Sequence, residues 1–168
     1  NNPPVANPDV TFTYKNEAIV IPVLANDNDV DGSINPSTVE IVVLPTPSGT
    51  ATVQSDGTIL YTPGAGFAGD VTLSYVVSDN VGTVSNVARV SIRVLNSKWQ
   101  NPVQNLDVNA DGRITPIDAL LVINYLNDPT KDRFLPNTGL VPPPYLDTDG
   151  NERVSPNDAL LVVNYLNE

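Results

Sequence analysis

One stretch of sequence occurs twice in the second half of the chain, and this duplication limits the possible folds more than any other feature. Residues 106–127 read LDVNADGRITPIDALLVINYLN, and residues 146–167, offset by 40 positions, read LDTDGNERVSPNDALLVVNYLN. Thirteen of the 22 aligned positions are identical, so the two copies should fold alike.

Each copy opens with oxygen-bearing side chains at alternate positions of a twelve-residue loop. In the first, Asp107, Asn109 and Asp111 hold positions one, three and five, Gly112 holds six and Asp118 holds twelve. In the second, Asp147, Asp149 and Asn151 hold one, three and five, and Asp158 holds twelve. Calcium takes roughly six to eight oxygen ligands at about 2.3–2.6 Å, and alternate residues of a tight loop can turn their oxygens inward together. The carbonyls of Arg113 and Arg153 at position seven, and the hydroxyls of Thr115 and Ser155 at position nine, complete the expected ligand sets. Two calcium ions are therefore expected, in loops 107–118 and 147–158. Two capped helices preceded by polar turns would explain each feature singly, but not the full pattern twice in register.

Each loop runs into an expected helix, over 116–127 and 156–167. Thr115-Pro116-Ile117-Asp118 and Ser155-Pro156-Asn157-Asp158 each offer an N-cap hydroxyl, proline at the first helical position and an acid at N3. Position six of the second loop is Glu152, where such loops use glycine for a left-handed turn. A non-glycine residue there costs about 1 kcal/mol or more, so a weaker second site is expected. Gly150 lies two residues earlier.

No helix leads into either loop, because Pro102 and Pro142-Pro143-Pro144 stand before them. A loop followed by an exiting helix, with Asp at position twelve, resembles the type I-like dockerin module from about Trp99 to Glu168. Trp99-Gln100-Asn101-Pro102 with Leu106-Asp107-Val108-Asn109 is similar to dockerins on large surface proteins of planctomycete-type bacteria. The resemblance implies a calcium-folded module that docks onto a cohesin, a β-sandwich receptor on another protein. The setting it implies is extracellular or cell-surface, such as polysaccharide degradation. It also implies a partner surface at Pro116, Ile117, Leu121, Ile123 and Asn124, repeated at Pro156, Asn157, Leu161, Val163 and Asn164. From Asp118 and Asp158 onward the helices differ only at Ile123/Val163, so a half-turn would present nearly the same surface. Ile117 and Asn157 are the main asymmetry.

The first 95 residues alternate in the strand manner, as in Val10-Thr11-Phe12-Thr13-Tyr14 and Val71-Thr72-Leu73-Ser74-Tyr75. Turn signals at Asp31-Gly32, Ser48-Gly49, Asp56-Gly57 and Pro63-Gly64 separate about seven short strands, which points to a Greek-key β-sandwich. Most aromatic residues here, Phe12, Tyr14, Tyr61, Phe67 and Tyr75, are expected in its core. Residues 67–79 and 23–32 resemble bacterial cadherin-like or Ig-like tandem repeats, which implies a spacer or adhesive role. Asp27, Asp29 and Asp31 alternate like the calcium loops but have Thr38 at position twelve. They are a candidate third metal site.

The chain thus reads as two domains: an all-β sandwich over 1–95, a linker over 96–105, and an all-α module of two calcium loop–helix repeats over 106–168. With no Cys or His, disulfides, thiolate chemistry and histidine-based catalysis are excluded. The net charge of −11 disfavours nucleic acid and anionic membranes, and no apolar run reaches the roughly 18 residues of a membrane span. Because it begins Asn1-Asn2-Pro3-Pro4, the chain is expected to be a fragment starting inside a linker. Attachment, not catalysis, is the expected role. The alternatives are a terminal unit packed on its own β-domain and, less favoured, carbohydrate binding by the β-half.

Overall fold

The computed structural model describes residues 1–168, apart from the side chain of Asn137. Contacts divide the chain into two units, Asn1–Leu95 and Asn96–Glu168.

The first unit has seven strands: β1 (Asp9–Tyr14), β2 (Ile19–Ile21), β3 (Ile34–Thr46), β4 (Thr50–Val53), β5 (Ile59–Thr62), β6 (Gly69–Asp79) and β7 (Ala88–Leu95). They form one sheet in the order β1-β7-β6-β3 and a second in the order β2-β5-β4. Only β1 and β7 pair in parallel, from Asp9 opposite Val90 to Tyr14 opposite Leu95. Period-two alternation puts Val71, Leu73, Tyr75 and Val77 on the inner face of β6 and Val90, Ile92 and Val94 on that of β7. These meet Ile21, Ile59 and Tyr61 of the other sheet in a single core.

β3 is longer than the 39–44 run suggested by its apolar residues. Its register shifts between Asn35 and Glu40. The Thr38 hydroxyl spans this irregularity, donating to Asn35 O at 2.7 Å and accepting from Ser78 N at 2.8 Å. A side chain thus supplies the hydrogen bonds that the ladder loses there.

Tyr61 and Tyr75 are fully buried, and Phe67 packs against the core. Phe12 does not follow the expectation. β1 turns Thr11 and Thr13 inward, leaving Phe12 48% exposed and edge-on to Tyr14, with ring centroids 5.9 Å apart. The Thr13 hydroxyl is satisfied inside by Glu17 O at 2.8 Å, which makes the threonine side of the strand buriable.

In the second unit, α1 (Pro116–Asn127) and α2 (Pro156–Leu166) pack against each other, their lengths matching the expected helices to within one residue. Val122 and Val162 share a core with Val108, Leu135, Leu146 and Trp99. The segment 96–105, expected as a linker, is part of this unit. Trp99 Nε1 donates to Leu140 O at 3.3 Å, Gln100 Nε2 to Thr148 O at 2.8 Å, and Asn101 Nδ2 to Asp107 O at 2.8 Å. Its polar side chains serve as backbone partners, which a composition reading takes for solvation.

One carboxyl gives the β-unit a pH dependence. Asp9 is pushed up from 3.8 to about 6, by burial first and then by the Asp27 charge, against opposing hydrogen bonds from Tyr75 and Asn26. Between these pH values the folded chain holds a proton that the unfolded chain has lost. Stability is therefore greatest below the unfolded value and declines as pH rises through about 6. Two pKa units would correspond to about 3 kcal/mol, which solvent screening of this partly exposed group reduces to about 1 kcal/mol. Asp9→Asn is expected to stabilise the β-unit by that amount at neutral pH and to change little near pH ~4, in urea unfolding followed by near-ultraviolet circular dichroism. Destabilisation at neutral pH would contradict this.

Candidate metal centre

The Asp at position twelve of each loop lies in the first helical turn and is fully buried. Asp118 Oδ1 accepts the N–H groups of Val108 at 2.8 Å and Asn109 at 3.1 Å. Its Oδ2 accepts the N–H of Thr115 at 2.8 Å and the Thr115 hydroxyl at 3.1 Å. Asp158 does the same with Thr148 at 2.8 Å, Asp149 at 3.3 Å, and Ser155 N and Oγ at 2.8 and 3.0 Å. One side chain therefore ties the start of the loop to the start of the helix.

The rest of each loop is equally alike. Asp107 accepts Asp111 N at 3.2 Å and Gly112 N at 2.9 Å, and Asp147 accepts Asn151 N at 2.9 Å and Glu152 N at 2.8 Å. At position three, Asn109 Oδ1 and Asp149 Oδ1 accept the N–H two residues on, at 3.1 and 3.2 Å. At position five, Asp111 Oδ1 and Asn151 Oδ1 accept Arg113 N and Arg153 N, both at 2.9 Å. The position-nine hydroxyls of Thr115 and Ser155 are turned to the helix caps, not into the loop as the ligand reading expected. Each hydroxyl meets the buried position-twelve carboxylate, and in the second loop the Thr148 hydroxyl also donates to Asp158 Oδ1 at 3.2 Å.

This arrangement suits a hard cation. Asp147, Asp149 and Asp158 bring carboxylate oxygens within 4.8 Å of one another. The matching first-loop positions, Asp107, Asn109 and Asp118, offer two carboxylates and an amide. Asp107, Asp118, Asp147 and Asp158 are all buried, and among the described residues none forms an ion pair with Lys or Arg. Burying a charge without a counter-charge is expensive, and a cation would supply one. Burial raises the Asp147 carboxyl above its usual range. The Ser97 hydroxyl and the N–H groups of Glu152 and Asn151 oppose this, and the neighbouring Asp158 charge adds to it. Oxygen-only donors in a chain without His or Cys fit calcium better than a transition metal.

The expected defect at Glu152 has a counterpart in the other loop. Glu152 has a φ of 66° and Ala110 a φ of 59°, while Gly150 and Gly112 have 76° and 84°. Both loops are left-handed at positions four and six, and each has one glycine and one other residue there. A Cβ on Gly150 would lie 2.8 Å from Asn96 Cβ, whereas one on Gly112 would meet nothing within 4 Å. Packing of the 96–100 segment thus requires glycine at position four of the second loop, and position six is open enough for a side chain. The left-handed cost expected at Glu152 is thus present and is matched by one at Ala110, so backbone strain does not by itself rank the two sites.

The third acidic cluster is not gathered in this way. Asp27 turns to Asn7 N at 2.7 Å and Tyr75 OH at 2.8 Å, while Asp31 accepts Asn2 N at 3.0 Å. Among the described residues, 147, 149 and 158 form the one acidic group close enough to share an ion.

The exposed sides of the helices form two matching grooves. In the first, Pro116, Ala119, Leu120 and Ile123 of α1 face Val163 and Leu166 of α2. In the second, Pro156, Ala159, Leu160 and Val163 of α2 face Ile123 and Leu126 of α1. Every apolar residue of one is related to an apolar residue of the other by the 40-residue offset, Asn167 and Asn127 close corresponding ends, and Arg133 also lines the second. Of the expected partner residues, Pro116, Ile123, Pro156 and Val163 line the grooves, and Ile117, Asn124 and Asn164 are exposed beside them. Leu121 and Leu161 are half-buried and line neither groove. Asn157 donates to Asp149 Oδ2 at 2.9 Å, so it braces the loop. Leu120 and Leu160, each 52% exposed, were not anticipated; their place one turn after the helix start was the available signal.

Glu152→Gly and Ala110→Gly are each expected to raise stability in EDTA by up to about 1 kcal/mol, the left-handed strain relieved less the entropy glycine adds to the unfolded chain. Gly150→Ala is expected to lower it by about 2 kcal/mol or more. Thermal unfolding followed by far-ultraviolet circular dichroism reads all three.

A family model described as a bacterial Ig domain matches residues 1–93, and one described as a dockerin type I domain matches residues 87–133. No curated protein matches the chain. Among solved structures, a Photobacterium 2,6-sialyltransferase is similar at 13% identity and a TM-score of 0.34, over 52% of this chain and 17% of that one. A Bacteroides fragilis protein assigned as an alpha-galactosidase gives 17% identity and 0.40, over 74% and 25%. The fibronectin(III)-like modules of Clostridium thermocellum CbhA give 23% identity and 0.26, over 54% and 88%. The chain thus spans a quarter or less of the first two proteins. Both matched families are non-catalytic modules usual in extracellular or cell-surface proteins, and no helix among the described residues is long and apolar enough to cross a membrane. The chain belongs to the bacterial Ig domain family through its first unit, which a type I dockerin domain follows.

Proposed function

We propose that the second unit is a calcium-dependent attachment module that docks onto a cohesin domain of another protein, with the β-unit as its spacer in a larger extracellular protein. The observation that carries this reading is the pair of equivalent apolar grooves. Exposed apolar surface repeated by an internal twofold suits a protein partner, whereas catalysis needs convergent polar groups in a cleft. The buried, unpaired carboxylates support the calcium part. Asp107, Asn109, Asp111, Asp118 and the Arg113 carbonyl would hold one ion. Asp147, Asp149, Asn151, Asp158 and the Arg153 carbonyl would hold the other, with similar affinity.

Matching grooves also support docking in either of two orientations related by a half-turn. Affinity capture on a panel of cohesin domains, with calcium and with EDTA, tests the attachment. Binding in calcium alone is expected, and binding unaffected by EDTA would contradict the reading. For a cohesin that binds, Leu120→Asn or Leu160→Asn alone is expected to weaken affinity by less than about tenfold, because the other groove remains. The double variant is expected to weaken it by at least about thirtyfold.

A second reading is glycan binding by the outer face of β1, favoured by half-exposed Phe12 beside Tyr14. Retardation in polysaccharide gels that Phe12→Ala abolishes would support it.

A further inference from the structure

We infer that residues 97–105 couple the two calcium sites: an ion in one loop orders this segment against the other loop and raises its affinity for the second ion. This rests on the calcium part of the proposed function and adds how the two ions act on each other. The segment lies outside both loops. It nevertheless bonds to the start of each, where the position-one residues Asp107 and Asp147 sit.

At the first loop, Asn101 Nδ2 donates to Asp107 O at 2.8 Å, and Asp107 N donates to Gln104 O at 2.9 Å. Asn101 Oδ1 accepts Val103 N at 2.9 Å and Gln104 N at 3.2 Å, so the same side chain folds the segment on itself. At the second loop, Asp147 N donates to Trp99 O at 3.2 Å, and the Ser97 hydroxyl bonds to the Asp147 carboxylate. Gln100 Nε2 and Asn105 Nδ2 both donate to Thr148 O, at 2.8 and 3.2 Å. Thr148 carries this contact on to position twelve: its N–H and its hydroxyl donate to Asp158 Oδ1 at 2.8 and 3.2 Å. Trp99 and Asn101 are buried, so packing holds the segment together with these bonds.

Ordering such a segment costs conformational entropy. Whichever ion binds first meets that cost, and the second ion binds a chain already ordered. Two sites that share one ordered segment therefore bind with positive cooperativity, and the coupling is reciprocal. A coupling of about tenfold, shared between two similar sites, lowers each half-saturation point by about threefold relative to that site alone.

The test titrates calcium into the full chain and follows the amide resonances of Gly112 and Gly150, which report the two loops separately. Asp111→Ala, at an exposed position with no bond to the segment, disables the first loop. The Gly150 midpoint is then expected to rise about threefold, and Asn151→Ala is expected to do the same to the Gly112 midpoint. Adding Ser97→Ala, Gln100→Ala and Asn105→Ala removes the segment's side-chain bonds to the second loop. In that chain the shift caused by Asp111→Ala is expected to fall below about 1.5-fold. Gln100→Ala with Asn105→Ala, at less buried positions, should give an intermediate shift and reads the coupling where the triple variant does not fold. A Gly150 midpoint that ignores Asp111→Ala would overturn the inference. An equal shift with and without the segment's bonds would do so too, since it would assign the coupling to the direct bond from Tyr145 N to Val108 O at 2.8 Å. If neither resonance responds to calcium, the calcium reading itself fails.

Discussion

The second unit depends on a carboxylate buried where a loop becomes a helix. Asp118 and Asp158 each accept three backbone N–H groups, with one hydroxyl on Asp118 and two on Asp158, and no basic side chain among the described residues neutralises them. Charge-assisted hydrogen bonds offset part of the desolvation cost, and a bound cation would offset the rest. Because these bonds join loop to helix, whatever stabilises the loop also sets the helix start. The two helices bury Ala119, Val122, Ala159 and Val162, and their exposed sides form the paired grooves. The loop geometry, the helix position and the paired grooves are thus consequences of a single contact used twice.

Much of this was legible in the sequence. Proline at the first helical position, a hydroxyl before it and an acid at N3 are local signals acting over a few residues, so the helices fall where the pattern puts them. The seven strands follow from alternation and turn residues in the same way. What the sequence concealed depended on contacts between distant segments. Glu152 reads as a flaw until Asn96 and Gln100 are found against Gly150, which shows why the glycine sits at position four in that loop. Alternation in β1 leaves open which face is buried, and Thr13 takes the inner side because Glu17 O can satisfy it. Asp27 leaves its neighbours for Tyr75, 48 residues away, so alternating acids do not converge there. Residues 96–105 look like a solvated linker because polar side chains that bond to backbone have the same composition as those that bond to water.

The two units divide the physical work. The β-unit has an apolar core spanning two sheets, with a polar cluster of Asp9, Asp27 and Tyr75 beside it. The second unit has a small core and concentrates its acids around two loops. A domain of this size with little apolar interior commonly needs a metal to hold it, and here the donors are already arranged by hydrogen bonds. Under the proposed function, removing the ion would withdraw the attachment, which neither a disulfide nor a larger core would permit.

The most direct measurement of the central claim is a calorimetric calcium titration of the chain, read with far-ultraviolet circular dichroism in calcium and after chelation. The account requires two ions of similar affinity, in the range of about 10⁻⁴–10⁻³ M common for extracellular modules, and helix content that falls when calcium is removed. One ion per chain, or helix content unchanged by chelation, would contradict it.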